Sequence, residues 1–379
     1  MHTAVIAPNV YDGFERHGPS AILIEDRRIV GRVPQGEVPS HYSIERLSGG
    51  ILVPGLIDLQ VNGGGGVLLN NDPTAEGLAA VAEGHASAGV ARVLATVISD
   101  RREVTAAFVE AGVTAAGDPD SGILGVHVEG PFFSPDRNGV HRRSSLRALD
   151  RADWDWIRRA ATVPAILTLA PEQVDPEDIR KIVALGLRVS AGHTNATHAE
   201  VVRAIDAGLS GFTHLFNAMR PMSGREPGVV GTALSSPDTW CGIIADGIHV
   251  HLESLRLAFN AKPRGKMYLV SDAMATVGAR EKSFELYGET IREVDGRLVN
   301  AEGRLAGSAI SLTDAVRFCV TELKLPFDEA ITMASRYPAE YLRVDDRFGS
   351  LLPGRMADLT WFDDQLNVTG LWRAGQRLI

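Results

Sequence analysis

Four polar residues each follow or end an apolar run that is typical of a buried strand. They are Glu129, His193, His214 and Asp272. Two imidazoles and a carboxylate suit a hydrolytic zinc-type site, which uses about three protein ligands and leaves one position open for water. A further carboxylate beside that water can take its proton. The pattern therefore predicts a divalent-metal hydrolase, with Glu129, His193 and His214 as ligands and Asp272 as the general base and acid.

Each of these residues also has a purely structural explanation. A single histidine at a strand end is often a core residue hydrogen-bonded to backbone, and a single aspartate there often caps a helix. The shared position decides between the two explanations. Residues at the carboxyl ends of the strands of a (β/α)8 barrel meet at one rim of the barrel, which is where such folds carry catalytic groups.

Eight apolar runs predict the strands that would hold these residues. Stretches with apolar residues at three- and four-residue spacing lie between them and predict helices. Alternation of this kind, repeated eight times, favours a closed parallel TIM-type barrel over an open doubly wound sheet. The predicted strands are 51–59, 91–99, 122–129, 164–172, 187–193, 210–216, 240–247 and 266–273, and the predicted helices include 74–89, 102–116, 153–161, 175–185, 197–208, 251–262 and 311–325.

The two ends of the chain have a different character from the middle. Short β-branched runs separated by Gly, Pro and Asp fill residues 1–52 and 351–379. Neither end has enough strands for a core of its own, so we expect both to pair into one small β-sandwich domain beside a barrel of residues 53–350. Residues 277–306 contain two turn signals and predict a hairpin-like insertion after the eighth strand.

Composition argues against several classes of function. The formal net charge is −9 and there is no basic block, which disfavours nucleic-acid binding. No apolar run is long enough to span a bilayer, and the first residues lack a signal-sequence pattern. The chain has two cysteines, so a disulfide framework is not expected. We expect a cytoplasmic protein that acts on a small molecule.

Several further residues are candidates for substrate contacts. His141, in a loop after the third strand, could donate to a substrate carbonyl. Arg225, in a Gly- and Pro-rich loop, and His249, after the seventh strand, are suited to an anion. His127 lies two residues before Glu129 on the same strand face, and its position fits a supporting role at the site as well as a place in the barrel core.

At this point the motifs resemble those of a known family. Taken in order, they are similar to the N-acetylglucosamine-6-phosphate deacetylases of the amidohydrolase superfamily, over nearly the whole chain. The motifs are PGLIDLQVNGGGG, HVEGPFFSP, NGVH, LAPE, SAGHTNAT, GFTHLFNAMRPMSGREPG, IIADGIHV, VSDAM and RLAGS.

The resemblance implies hydrolysis of N-acetylglucosamine 6-phosphate to glucosamine 6-phosphate and acetate. It assigns the metal to Glu129, His193 and His214 and makes Asp272 the base and acid, with His141 polarising the acetyl carbonyl and contacting the sugar. It also implies a homodimer whose second subunit contributes to the phosphate site. The remaining substrate-binding residues that it implies are Asn217, Ala218, Arg225, His249, Leu305, Ala306 and Gly307.

The chain departs from many amidohydrolases after the first strand. Those proteins carry His-x-His there and bind a second metal, whereas this chain has Gln60 and Asn62. Neutral amides are poor ligands for zinc-class metals. We therefore expect one divalent ion per subunit, zinc, with Gln60 contacting its water or a second site. Met274 also stands where a small residue or Thr is more usual, which predicts an altered pocket near the acetyl group.

Two alternatives stay open from the sequence. The substrate could be the C4 epimer, N-acetylgalactosamine 6-phosphate, or another N-acyl compound on the same scaffold. A metal-free phosphosugar-binding or scaffold protein is the non-enzymatic alternative, and the retention of all four chemical groups argues against it.

Overall fold

A computed structural model describes residues 2–379, and its centre is an eight-stranded parallel sheet. The strands neighbour one another in chain order, and a parallel bridge between Val61 and Ala273 joins the segment after the last strand to the first. The predicted TIM-type barrel is thus confirmed. Its strands are Leu56–Val61, Val90–Ile98, Ile123–Glu129, Ala165–Leu169, Arg188–Ala191, Gly211–Phe212, Trp240–Ile243 and Met267–Leu269.

The barrel strands are buried along their length because helices cover the outer face and side chains fill the interior. All nine residues of Val90–Ile98 and all seven of Ile123–Glu129 are buried. Strands covered on both faces have near-continuous apolar sequences rather than alternating ones. This is why the eight strands could be found as apolar runs.

Eight helices follow the strands, and most begin at the caps that the sequence contains. Thr197 and Glu200 form a capping box, and Asp175 caps a helix that starts with Pro176. The helices are Ala75–Ser87, Arg102–Ala116, Trp154–Ala160, Pro176–Ala184, His198–Asp206, Gly228–Ser235, Leu252–Ala261 and Leu312–Thr321.

Three helices were not predicted: Gly228–Ser235, Phe327–Met333 and Arg336–Leu342. The first, GVVGTALS, has six of its eight residues buried, so it shows no polar face and no helical periodicity. The other two are only seven residues long, which is too short for a clear pattern.

The first predicted strand proved to be two strands. Ile51–Pro54 pairs antiparallel with Leu359–Phe362 in a terminal sheet, and the barrel begins only at Leu56. Gly55 lies between them, where a Cβ would come within 2.7 Å of the side chains of Ala91 and Asp358. The chain therefore crosses from one sheet to the barrel at a residue that has no side chain.

The chain ends form two sheets that pack face to face. Their shared core includes Val5, Ile22, Leu52, Leu359 and Trp372, which confirms the sandwich expected from both termini. One sheet contains Arg28–Pro34, Ser20–Glu25, His2–Ala7 and Ser43–Arg46, and the other contains Gln376–Arg377, Val368–Arg373, Leu359–Phe362, Ile51–Pro54, Val10–Tyr11 and Arg16–His17.

The insertion after the eighth barrel strand is larger than a hairpin. It is a four-stranded antiparallel sheet whose last strand continues alongside the barrel rim through a bridge between Ala273 and Ser308. Its strands are Ser283–Leu286, Glu289–Val294, Arg297–Val299 and Leu305–Ser308. Within residues 2–379, no helix is long and apolar enough to cross a membrane.

Candidate metal centre and active-site cavity

The predicted metal ligands and the predicted general base all lie at the carboxyl rim of the barrel. Glu129 is the last residue of the third strand. His193 and His214 come two residues after the fifth and sixth strands, and Asp272 comes three residues after the eighth. The rim position follows from the parallel topology, since every strand presents its carboxyl end to the same side.

Three of these residues have an unusual backbone conformation. The φ angles are +48° at His193, +33° at His214 and +53° at Asp272. A β-strand cannot continue through a positive φ, which explains why these strands end before the predicted boundaries. Non-glycine residues in this region are strained, and such strain collects at functional sites.

Glu129, His193 and His214 converge on one point. His214 Nε2 lies 3.0 Å from Glu129 Oε1 and 3.0 Å from His193 Nε2, and His193 Nε2 lies 3.2 Å from the same carboxylate oxygen. All three side chains are buried. Within residues 2–379 this is the one cluster of three or more His, Cys, Asp or Glu residues suited to hold a metal ion.

The local hydrogen bonds fit a cation at this point. His193 Nδ1 donates to the carbonyl of Arg137 at 2.9 Å, so a neutral imidazole presents its Nε2 lone pair to the cluster. Hydrogen bonding of a ligand's second nitrogen is the usual arrangement around protein metals. Burial alone raises the pKa of Glu129, but the two imidazoles hold it well below its usual value, so the carboxylate is ionised. Two imidazole nitrogens and a carboxylate oxygen form a donor set that suits zinc-class metals.

Asp272 is held close to this cluster by the first barrel strand and the residues that follow it. Asn62 Nδ2 donates to Asp272 Oδ1 at 2.7 Å, and the backbone N–H of Asp272 donates to the carbonyl of Gln60 at 3.0 Å. Burial, together with the negative charge of Glu129, raises the pKa of Asp272 to about 7. A carboxylate with a raised pKa is able both to accept and to return a proton near neutral pH.

The tautomer of His141 follows from its contact with Ser99. The backbone N–H of Ser99 donates to His141 Nδ1 at 3.1 Å, and the Ser99 hydroxyl lies 2.8 Å from the same nitrogen. Since Nδ1 accepts, the neutral ring carries its proton on Nε2. The Tyr287 hydroxyl in turn donates to the carbonyl of Ser99. His141 is therefore oriented as a hydrogen-bond donor.

A cavity of about 180 Å³ contains all of these groups. Its lining combines polar side chains, among them His249, with apolar ones, among them Met274. The lining residues are Asn62, Ile98, Glu129, Gly139, Val140, His141, His193, His214, Asn217, Ala218, Ile244, His249, Asp272, Met274, Leu305 and Gly307.

His249 is prepared for an anion in this cavity. Its Nδ1 donates to Asp246 Oδ2 at 2.6 Å, and its buried Nε2 has no hydrogen-bond partner within residues 2–379. Burial alone lowers the pKa of His249, but the hydrogen bond and charge of Asp246 outweigh burial and raise it. The protonated form of the ring is therefore favoured, and in that form Nε2 is a hydrogen-bond donor.

Three residues named from the sequence lie outside the lining of this cavity. Arg225 is exposed on its loop. Ala306 lines a neighbouring cavity of about 290 Å³, and Gln60 lies in the barrel interior with a buried Nε2 that has no partner within residues 2–379. His127 also lies in the barrel interior, where it is hydrogen-bonded to the carbonyl of Leu59 and to Thr168. Of the two roles that the sequence left open, the structure shows a core residue.

The residues that hold Asp272, His141 and His249 in place were not predicted from the sequence. Asn62, Ser99 and Asp246 each hydrogen-bond to one of them. Only Asp246 left a usable signal, because the spacing Asp246–x–x–His249 after a strand is a common local hydrogen-bonding pattern. The partners of Asn62 and Ser99 lie 210 and 42 residues away, respectively, so no local signal exists for them.

A barrel with a His–His–Glu cluster and a raised-pKa aspartate at its carboxyl rim defines the class of metal-dependent hydrolases. The comparison with known proteins makes this specific. Residues 51–378 match the Amidohydrolase family, and the chain belongs to that family.

The chain is also similar to individual members of known activity. It is 42% identical over 339 residues to an N-acetylgalactosamine-6-phosphate deacetylase of Shewanella sp. (strain ANA-3), covering 89% of this chain and 85% of that protein. It is 33% identical over 374 residues to the N-acetylglucosamine-6-phosphate deacetylase of Haemophilus influenzae, covering 98% and 97%. The crystal structure of N-acetylglucosamine-6-phosphate deacetylase from Pasteurella multocida superposes with a TM-score of 0.96 at 34% identity, over 100% of both chains.

Proposed function

We propose that the protein hydrolyses N-acetylglucosamine 6-phosphate to glucosamine 6-phosphate and acetate. The observation that carries the proposal is the presence of Glu129, His193, His214, Asp272 and His141 around one cavity. The similarity to deacetylases of 6-phosphorylated N-acetylhexosamines over nearly the whole chain supports the same substrate class.

The chemistry divides among these side chains. Glu129, His193 and His214 would hold one divalent ion, which we take to be zinc; when bound, such an ion lowers the pKa of water to about 7 and so supplies a nucleophile at neutral pH. Asp272 accepts the proton of the attacking water and returns it to the leaving nitrogen. His141 donates from Nε2 to the carbonyl oxygen as negative charge develops there.

We assign the phosphate group to the polar residues of the cavity lining. His249 would donate its Nε2 proton to the phosphate, and Asn217 and Ala218 line the same cavity. Arg225 is exposed in its own subunit, so we propose that it reaches the phosphate of a second copy in a homodimer. Leu305, Ala306 and Gly307 would close over the ligand. We place this enzyme in the cytoplasm, with residues 1–52 and 351–379 as a domain separate from the barrel of 53–350.

A second candidate substrate is N-acetylgalactosamine 6-phosphate. It is favoured by the 42% identity to a deacetylase of that sugar, against 33–34% for the N-acetylglucosamine-6-phosphate deacetylases. Deacetylation of the two epimers should be measured side by side, together with metal content. Turnover of the gluco epimer with one ion per subunit is expected, preference for the galacto epimer would select the second candidate, and activity on neither would exclude both.

The first prediction concerns Asp272. Asp272→Asn should lower kcat by about 10²- to 10⁴-fold, the usual contribution of a general base, while metal content stays unchanged. The asparagine retains the oxygen that accepts from Asn62, so the local structure is preserved. Steady-state kinetics and elemental analysis of the same sample check both parts.

Two further variants control this experiment. Asp58→Asn changes another buried barrel carboxylate that accepts from the backbone N–H groups of Gln60 and Ser271 but does not line the cavity, and it should cost much less activity. Glu129→Ala should lose metal and activity together. A near-normal rate for Asp272→Asn, or full metal content in Glu129→Ala, would contradict the proposed roles.

A further inference from the structure

The active-site cavity has an apolar wall that the proposed chemistry does not use. Ile98, Val140 and Met274 belong to one hydrophobic cluster and also line the cavity. Another part of the lining, which includes Asn217 and His249, is a polar wall that presents hydrogen-bonding groups. The two walls therefore suit different parts of a substrate.

Met274 is held in place by the insertion. Its backbone N–H donates to the carbonyl of Ser308 at 3.0 Å, and the N–H of Ser308 donates to the carbonyl of Asp272 at 3.3 Å. A Cβ built on Gly307 would lie 2.4 Å from Met274 Cγ and 2.6 Å from its Cε. The Met274 side chain therefore packs directly against Gly307, and Met274 is 1% exposed.

The apolar wall flanks both groups that act on the reacting carbonyl. Met274 comes two residues after Asp272, and Ile98 precedes Ser99, whose N–H holds His141. Ile98 also pairs with Glu129 across the neighbouring strands. In an N-acyl substrate, the alkyl part of the acyl group is bonded to the carbonyl carbon on which Asp272 and His141 act. The alkyl part therefore lies close to these two residues, where it can contact this wall. The sugar and its phosphate then extend along the polar wall.

We propose that Met274, together with Ile98, forms the acyl pocket and restricts the enzyme to N-acetyl groups. This inference rests on the proposed function and adds its acyl specificity. A longer acyl chain directed at this wall would meet Met274, whose side chain has little free space because it packs against Gly307 and within the hydrophobic cluster of the insertion. Interiors packed to this density accept one added methylene only at a cost.

The test compares acyl length across variants. We would measure kcat/KM of the metal-loaded wild type, Met274→Ala and Met274→Leu with N-acetyl-, N-propionyl- and N-butyryl-glucosamine 6-phosphate and their galactosamine epimers. Wild type should favour acetyl over propionyl by about 10- to 200-fold, the usual range for one methylene in a hydrophobic pocket, and acetyl over butyryl by at least as large a ratio. Met274→Ala should reduce that ratio at least tenfold, and Met274→Leu, which keeps the volume, should leave it nearly unchanged.

The acetyl-to-butyryl ratio separates specificity from general damage, because a structural defect slows both substrates alike. An unchanged ratio in a folded, active Met274→Ala enzyme overturns the inference while leaving the deacetylase proposal intact. Should Met274→Ala not fold, Ile98→Val removes one methyl from the same wall and should improve propionyl turnover relative to acetyl; no change there also overturns it. Absence of turnover of every N-acetylhexosamine phosphate by wild type overturns the deacetylase proposal first.

Discussion

For single residues, the proposed chemistry depends on side chains whose backbone conformation or pKa the fold shifts away from ordinary values. His193, His214 and Asp272 have strained backbones with positive φ, and Asp272 has a raised pKa. His249 is the most informative of the substrate-binding candidates, because Asp246 is the main group that raises its pKa, with smaller contributions from Asp272 and the backbone of Gly307.

The second prediction concerns pH and the Asp246–His249 pair. The pKa of His249 is raised, so its imidazolium form, which attracts phosphate, persists to higher pH than in an ordinary histidine and is lost as pH rises through that pKa. KM for the phosphosugar should therefore increase at alkaline pH. Asp246→Asn removes the main group that raises the pKa, so the increase in KM should begin at lower pH.

Measuring kcat and KM separately across pH checks this prediction. The carboxylate of Asp246 also accepts from the backbone N–H groups of Ile248 and His249, and the asparagine oxygen can still do so. A KM profile in Asp246→Asn that superimposes on that of the wild type would show that His249 does not bind the phosphate as a cation.

At the scale of elements, the insertion Ser283–Ser308 is part of the active site. Its cluster of Phe284, Leu286, Ile291 and Leu298 packs against the rim of the barrel. Tyr287 at its first turn donates to Ser99, and the Arg142 guanidinium lies 4.7 Å from the centre of the Tyr287 ring. The insertion thus contacts both the segments that position His141 and the side chain of Met274.

The third prediction concerns Tyr287. Tyr287→Phe removes the hydroxyl that orients Ser99, whose N–H fixes the tautomer of His141. We expect kcat to fall by about 10- to 100-fold, in line with the cost of misplacing a catalytic group, with little change in KM or metal content.

The matched control is Tyr11→Phe. It removes another tyrosine hydroxyl, bonded to Thr332 at 2.6 Å, far from the cavity in the structure's terminal region. This variant should keep its kcat. Equal effects of both variants on kcat would mean that Tyr287 contributes only to stability.

At the scale of the whole molecule, the fourth prediction is that the site is completed by a second copy of the chain. Arg225 is exposed in its own subunit and does not line the cavity that holds Asp272. If Arg225 acts across a dimer, mixing Arg225→Ala with Asp272→Asn should restore activity, because one site of each mixed dimer then receives both intact residues.

Refolding or co-expression of the two inactive variants, followed by kinetics on the mixed dimer, checks this. Activity approaching half that of wild type per mixed dimer is expected. No recovery from a mixed dimer would place Arg225 in the site of its own subunit or outside the reaction altogether.

The barrel and the residue types of the site could be predicted from the sequence alone. Buried parallel strands have continuous apolar sequences, and each of the four chemical residues directly follows or ends such a run, so both were visible in local order. Even the sandwich of the two chain ends could be expected, since each end lacks a core of its own.

The way in which these residues meet depends on the fold of the complete chain. The 3.0 Å approach of His193 to His214, the orientation of His141 by Ser99 and the wall made by Met274 and Ile98 join segments from different strands. Such contacts depend on strand register, on positive φ angles at the strand ends and on the packing of the insertion. No local sequence pattern encodes them, because each results from the closure of the whole barrel.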